Sequence, residues 1–506
     1  MQALLGIDIG TSGCKALLID IDGKVIAADT ATYPLSRPKP GWTEQDPELW
    51  VEGARQAVAG AIAKAPKNIE ILSIGLSGQM HGLVPLDASN KVLRPAILWN
   101  DQRNKAECEY IVEVAGGLEG LLAATNNRML VGYTGGKILW MQRNEPELFS
   151  RITTILNPKD YLRLRLTGEI ASEVSDASGT GLFDVRSRQW ANKLIEKIGI
   201  NPNILPPVYE SQVISGRVSV EGAELFGIPL GISVAGGGGD SVIQTFGSGV
   251  IAPGELQTTL GTAGILATAL DTPQENPDGR LQVFCNVTAD KWHCMGVSLN
   301  AGGAMTWFRE AFCRGADGQP LSFDQIVASA SASTAGAKGL LFLPYLYGER
   351  CPHPDPTARG ALIGLTARHD YGDIARSVME GIVHALADMY ALMKPLGIQG
   401  QIIKASGGGA KSALWRQIQA DIFGCKVITT EGAAEGAAFG AALIAGLAIG
   451  VWTDVGSAMK NCRSITCEQP NLETLEVYTQ AHEIYRSLYP LLGQTFAALG
   501  NSIFDQ

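Results

Sequence analysis

A chain of 506 residues has room for two large domains or three to four small ones, which excludes a single isolated module. Hydrophobic residues are 46% and charged residues 18%, a globular balance that leaves no compositional case for disorder. Lys plus Arg is 40 against Asp plus Glu 50, and a formal charge of -10 with no basic patch excludes nucleic acid as an expected partner. The 60 glycines exceed a background of about 7% and cluster beside Asp, Thr and Ser, where they read as places of close backbone approach to a ligand. Nine cysteines stand singly, with no C-x-x-C pair and no metal-ligand spacing, and no basic segment precedes the first apolar run. The expectation is a reduced, cytoplasmic protein without a secretory leader.

In chain order, residues 4–20 make two apolar runs around a glycine turn, Gly10-Thr11-Ser12-Gly13, with Asp8 ending the first run and Lys15 in the second. This is the pattern of a β-hairpin. A strand over 24–32 follows, and Asp46-Pro47 supplies an N-cap and a first-turn proline for a helix to about residue 65. Residues 71–76 read as a strand that ends in Ser77-Gly-Gln-Met-His-Gly82, so Gln79, Met80 and His81 project from a strand-end loop of the kind that carries ligands. Over 232–244 a short apolar strand meets four glycines and then one carboxylate, Asp240. Such an Asp is either a helix cap or, beside a bound hydroxyl, the base that phosphoryl transfer requires.

A second turn, Gly261-Thr262-Ala-Gly264, lies 251 residues after the first (261 − 10) and is likewise flanked by apolar strands. Either one architectural unit is used twice, with the boundary at 247–254, or two ordinary hairpins sit in one long α/β protein. Residues 401–405 read as a strand, Ser406-Gly407-Gly408-Gly409 as a turn and 410–423 as a helix, an arrangement that offers N–H groups to a nucleotide. The apolar stretch 436–452, mostly Gly, Ala and Leu, reads as a buried helix and not a membrane span. No G-x-x-x-x-G-K-[ST], H-E-x-x-H or G-x-S-x-G occurs.

These residues resemble the FGGY family of carbohydrate kinases. Residues 132–144, around Lys137, are similar to one family signature, and 360–380 to the other; 42–46, 98–101, 157–161 and 344–350 add to the likeness. The resemblance implies an α/β protein of two actin-like (ribonuclease H-like) domains, 1–248 and 249–506, with ATP and a sugar in the cleft between them. It implies Asp240 as catalytic base and Asp8 as the residue that positions Mg2+ through water. Met80 and His81, with Gln79, would bind the sugar. Gly10, Thr11, Ser12 and Lys15 would meet the phosphates with Gly261 and Thr262, and Gly407, Gly408 and Gly409 the adenosine. Within the family the segment 77–82 points to D-xylulose, phosphorylated to the 5-phosphate. Another ketose or polyol (D-ribulose, L-ribulose, glycerol) and an actin-like ATPase switch are the alternatives, and a homodimer is a candidate assembly. Ala263, Ser241 and Cys351 depart from the family pattern, and Ser241 weakens the choice of xylulose over another ketose. The helical tail from Leu475 lies outside the motifs.

Overall fold

The computed structural model describes residues 1–276, 278–315, 317–460 and 462–500. Two hydrophobic runs broken by a glycine turn fold back as β1 (Gln2–Ile9) and β2 (Gly13–Asp20), antiparallel, and the Gly10 N–H donates to Gly13 O at 2.9 Å to close the turn. Strand β3 (Val25–Thr32) extends the hairpin. Asp46 then caps the helix Pro47–Lys64 by accepting the Glu48 N–H at 3.0 Å, and Trp50, Ala54, Ala57, Val58 and Ala61 of that helix join the core. The chain returns as β4 (Glu70–Gly78), parallel to β1, and the sheet is completed by β5 (Ile214–Arg217) and β6 (Ser233–Ala235).

A second sheet repeats this plan with β7 (Glu255–Leu260), β8 (Gly264–Leu270), β9 (Trp292–Ser298), β10 (Ile402–Ser406), β11 (Lys426–Thr430) and β12 (Ser464–Glu468). The matching strand orders are β3-β2-β1-β4-β6-β5 and β9-β8-β7-β10-β11-β12; each sheet has a seventh strand, Gly238–Gly239 beside β4 in the first and Gln282–Cys285 beside β9 in the second. In both, a hairpin is followed by two parallel neighbours and one antiparallel strand: β2-β1, β1-β4, β4-β6 and β6-β5 correspond to β8-β7, β7-β10, β10-β11 and β11-β12. The match between the two glycine turns therefore reflects one unit used twice, and the reading as unrelated hairpins falls.

The chain forms two compact units, but not by one cut. The first contains Met1–Ile251, Leu270–His293 and Glu435–Arg463; the second contains Ala252–Ala269, Cys294–Ala434 and the chain from Ser464 on. Two later segments, Leu270–His293 and Glu435–Arg463, thus pack with the first unit although they follow the expected boundary at 248/249. The reason is visible at the helix Ala437–Ala448, apolar nearly all round and buried along most of its length. A Cβ at Gly6 would stand 1.9 Å from Ala438 O, and one at Gly75 would stand 1.8 Å from Ala441 O, so glycines in β1 and β4 let this helix lie directly on the sheet. Among the described residues no helix is long and apolar enough to cross a membrane.

The helix Leu475–Gly500 has a structural task in the second unit. Tyr485, Leu488 and Phe496 share a core with Leu343, Tyr345 and Ala385. Its Tyr478 hydroxyl donates to Glu380 at 2.7 Å and accepts from Arg376 at 2.9 Å.

Candidate functional site

Two carboxylates define the chemistry of the first unit. Asp8 stands near the end of β1 opposite Ser77 of β4, whose hydroxyl donates to Asp8 Oδ1 at 2.7 Å. Burial raises the Asp8 pKa against the opposing pull of that hydrogen bond and of Lys15. Asp240 opens the helix Asp240–Gly247, whose N-cap is Gly239. Its Oδ1 accepts the N–H of its immediate neighbour Ser241 at 2.7 Å, not one two or three residues on, so this carboxylate is not a helix cap. Burial first, and the Asp8 charge second, push Asp240 up from the usual carboxylate range to about 7. An acid held at that value is half ionised at neutral pH, as a general base needs.

The four glycines before Asp240 do not leave room for a ligand, contrary to the sequence expectation. A Cβ at Gly236 would meet Glu210 O at 2.8 Å, one at Gly237 Leu76 O at 2.0 Å, one at Gly238 Val287 Cγ1 at 2.5 Å and one at Gly239 Met80 Cγ at 2.6 Å. The run packs against its own protein, and the result is to bring Asp240 beside Met80, whose backbone N–H also bonds the carboxylate. Met80 is buried, and His81 follows it in the left-handed region at φ +70. The His81 Nδ1 lies 2.6 Å from Gly179 O. A carbonyl only accepts, so Nδ1 carries a proton. A Cβ at Gly179 would collide with both His81 Nδ1 and Met80 Cε at 2.8 Å, which explains that glycine.

Behind Asp240 lies a set of buried charges that sequence reasoning missed. Lys159 pairs with Asp160 and lies 3.7 Å from Asp176 and 3.9 Å from Glu173, while Arg163 reaches Asp160 at 3.0 Å; all five side chains are fully buried. Ser175 Oγ donates to Glu173 at 2.7 Å and accepts the Gly239 N–H at 3.0 Å, which ties the residue before Asp240 to this cluster. Burial raises the Asp176 pKa well above the carboxylate range. The sequence carried no signal for it: on the helix Pro158–Thr167 the apolar Tyr161, Leu162, Leu164 and Leu166 fall on one side and Lys159, Asp160 and Arg163 on the other, the pattern of an ordinary surface helix.

The remaining residues singled out in the first unit brace the turn after β1. Gln79 is buried; its Oε1 accepts from Thr11 Oγ1 at 3.1 Å, and its Nε2 donates to Gln45 Oε1 at 3.3 Å. Thr11 Oγ1 also accepts from Trp99 Nε1 at 3.0 Å, and Gly10 O accepts from Tyr33 at 2.7 Å. Ser12 O accepts the Tyr33 N–H at 3.1 Å. Lys15 Nζ donates to Glu435 Oε2 at 2.6 Å and to its carbonyl at 3.1 Å.

In the second unit, Gly261 and Thr262 line a cavity of about 790 Å³ together with Gly408, Gly409 and the side chains of Met305 and Phe323. The helix after the glycine turn starts later than the sequence suggests: Gly408–Lys411 is a 3-10 turn, and Ser412 caps Ala413–Phe423 by accepting the Trp415 N–H at 3.3 Å. Gly407, at φ +79, has Leu260 O 2.7 Å from its missing Cβ, and Gly409 has Leu260 Cβ at 2.6 Å. Gly408 differs. A Cβ there would have its nearest neighbour at 3.9 Å, and one at Gly261 would have its nearest at 3.7 Å. Neither glycine is demanded by the protein's own packing, and both line the cavity. An apolar wall with backbone N–H groups at one end suits a purine nucleotide.

Comparison with known proteins bears on this pair of sites. Residues 3–247 match the FGGY family of carbohydrate kinases, N-terminal domain, and residues 256–449 match its C-terminal domain. A xylulose kinase of Escherichia coli (strain K12) is 39% identical over 83% of this chain and 84% of its own length. A xylulose kinase of Bacillus subtilis (strain 168) is 36% identical over 97% of both chains. Among solved structures, a ligand-bound xylulose kinase from Lactobacillus acidophilus superposes with a TM-score of 0.92 at 26% identity, covering 99% of this chain and 100% of its own.

Proposed function

Because the chain belongs to the FGGY family of carbohydrate kinases, we propose that it transfers the γ-phosphoryl group of ATP to the terminal hydroxyl of D-xylulose, giving D-xylulose 5-phosphate and ADP. Its fold is that family's two-domain, actin-like and ribonuclease H-like α/β arrangement. The observation that carries the assignment is the corner made by Asp240, Met80 and His81, in which a carboxylate held at about 7 stands against the loop that reads the sugar.

The sugar hydroxyl gives its proton to the Asp240 carboxylate as its oxygen bonds to the γ-phosphorus, and the bond from that phosphorus to the ADP oxygen breaks. His81, with its Nδ1 proton committed to Gly179 O, meets a sugar hydroxyl through the rest of its ring, and Met80 forms the apolar wall beside it. The base of the nucleotide occupies the 790 Å³ cavity of the second unit, with Gly261 and Thr262 for its phosphates; the Gly10–Ser12 turn is the candidate phosphate loop of the first unit. Lys15, paired with Glu435, belongs to the same hairpin as the Gly10–Ser12 turn and is its candidate cation. Asp8 fits a divalent cation, which we take to be Mg2+. It is a buried carboxylate whose charge repels Asp240, and among the described residues no cage of three or more His, Cys, Asp or Glu is available. Mg2+ is commonly held this way, by one or two carboxylates plus phosphate oxygens and water. When bound, it neutralises charge on the transferring group. Nine free cysteines, seven of them buried thiols, suit a reducing compartment, and we assign the protein to the cytoplasm.

The test is a panel of ketoses and polyols with ATP, reading ADP release. D-xylulose is expected to give the highest kcat/KM, and ADP release without sugar is expected to be slow. A preference for D-ribulose, L-ribulose or glycerol of more than about tenfold would overturn the substrate. Sugar-independent turnover would overturn kinase activity in favour of an ATPase switch.

A further inference from the structure

Left-handed backbone is unfavourable for a residue that carries a Cβ, so something must hold His81 at φ +70. The contacts come from one place. Tyr133 is the N-cap of the helix Thr134–Asn144, and its ring stacks on the His81 ring with centroids 4.7 Å apart and planes at 28°. Thr134 Oγ1 donates to the His81 carbonyl at 3.1 Å, and Lys137 Nζ donates to the same oxygen at 2.7 Å. Lys137 makes a second bond, to Gly132 O at 2.6 Å, and its side chain is fully buried.

A lysine is an expensive way to satisfy two carbonyls. Among the described residues no carboxylate lies within ion-pair distance of Lys137 Nζ, and burial lowers its pKa to about 7. The two bonds survive either protonation state, since an amine has two N–H groups and an ammonium three. The surrounding sequence is arranged to put this side chain there. A Cβ at Gly136 would meet Asn104 Nδ2 at 2.4 Å and Cys108 Sγ at 2.5 Å, so the helix is drawn tightly against its neighbour Lys105–Ala115. Its Gly135 N–H donates to Thr180 O at 2.9 Å, next to the Gly179 carbonyl that accepts from His81 Nδ1. One helical turn and the segment docked on it therefore hold the ring, the carbonyl and the Nδ1 proton of a single histidine.

We propose that Lys137 is a positioning residue for the sugar site: it clamps the His81 carbonyl and so aims the His81 ring at the substrate. The inference rests on the reading that His81 binds the sugar, and the experiment separates the two. Full-length Lys137→Met, Thr134→Val and His81→Asn, with the Lys137→Met/His81→Asn double variant, are assayed with ATP and D-xylulose varied independently, and their Tm values are measured. Displacing a positioned group by about 1 Å can cost on the order of 100-fold, and loss of one hydrogen bond much less.

Lys137→Met is therefore expected to raise the D-xylulose KM by at least about tenfold. The ATP KM should stay within about twofold and kcat at saturating sugar within about threefold of the parent. Thr134→Val, which removes the weaker clamp, should raise the sugar KM about threefold, and it decides the matter if Lys137→Met does not fold. The double variant should be no worse than His81→Asn alone, since the clamp then has nothing to aim. An unchanged sugar KM in His81→Asn would sink the sugar-site reading, and this inference with it. A raised sugar KM in His81→Asn with none in Lys137→Met or Thr134→Val would overturn the clamp alone. Equal loss in both KM values and kcat with a lowered Tm would make Lys137 a structural strut, which also overturns it.

Discussion

The glycine runs 236–239 and 407–409 look alike in sequence and do opposite things. Every glycine of the first run has a protein atom within 2.8 Å of its missing Cβ, so side chains are absent there because the protein fills the space itself. In the second run Gly407 and Gly409 are confined in the same way, but Gly408 faces a cavity with nothing nearer than 3.9 Å. The first run aims one acid at one loop; the second leaves a shelf open. Glycine richness therefore marks close approach in both units, and only geometry says whether the approaching group is protein or ligand.

If the first run exists to aim Asp240, the largest effect belongs to that carboxylate. Asp240→Asn keeps its shape and removes its capacity to take a proton, and general-base assistance is worth about 10²- to 10⁴-fold. Its kcat is expected to fall at least about 100-fold, with the sugar Kd by calorimetry within about tenfold of the parent. Retention of more than a tenth of kcat would show that the base lies elsewhere. The same residue sets a pH limb: kcat/KM of the parent should fall about tenfold per unit as pH drops below about 7, because the protonated acid cannot accept. Stability runs the other way. The folded-state pKa is raised, so the native protein binds the proton more tightly than the unfolded chain, and stability present below pH about 4 is lost as pH rises to about 7. Ligand-free Asp240→Asn should therefore melt above the parent at pH 8 and converge with it near pH 4.

The next pair of substitutions tests the comparison directly. Gly237→Ala places a methyl 2.0 Å from Leu76 O at φ +75, and overpacking of this kind costs about 1–3 kcal/mol, a fall of several degrees in Tm. Gly408→Ala adds the same methyl into open space; Tm should hold while the ATP KM rises about tenfold with the sugar KM unmoved. A stability loss in Gly408→Ala, or an unchanged ATP KM, would remove the distinction between the two runs.

Much of this was legible in the sequence where local chemistry decides it. Asp46-Pro47 announces a helix start because capping and a missing N–H act within one turn, and the repeated Gly-Thr-x-Gly turn announces duplicated sheets because hairpin geometry is local. The two signature segments identify the family, and the wider resemblance to it supplied Asp8, Asp240 and the 79–81 loop as candidates. What was not legible depends on long-range packing. The helix Ala437–Ala448 lies in the C-terminal third of the chain yet packs on β1 and β4, and no property of its own residues names that partner. Lys159, Asp160, Arg163, Glu173 and Asp176 read as ordinary surface charges until the fold buries all five. Gln79 sits beside Met80 and His81, the proposed sugar contacts, yet its amide is occupied by Thr11 and Gln45, a bond pattern that spacing cannot express.

The smallest effect concerns the other turn of the duplicated pair. The Gly10–Gly13 turn is braced by side chains: Gln79 and Trp99 hold the Thr11 hydroxyl, Gln45 Nε2 donates to Thr11 O at 2.9 Å and Tyr33 donates to Gly10 O. The Gly261–Gly264 turn is braced by backbone instead. Gly302 N–H donates to Gly261 O at 2.7 Å, and Ala301 and Gly303 N–H groups donate to Thr262 O at 2.9 and 3.1 Å. Because main chain alone sets its shape, Ala263 gives up nothing structural where the family pattern has a serine. Ala263→Ser should leave Tm within about 1 °C and the ATP KM within about twofold, the range of a substitution of no more than about 0.5 kcal/mol. The corresponding removal of a brace in the first unit, Gln45→Leu, leaves the Thr11 and Pro34 carbonyls and the Trp50 N–H without their partner and should cost more, about 1–3 kcal/mol of stability. A tenfold gain in ATP affinity from Ala263→Ser would mean that a hydroxyl at this position grips phosphate. The two turns would then differ in ligand contacts as well as in their bracing.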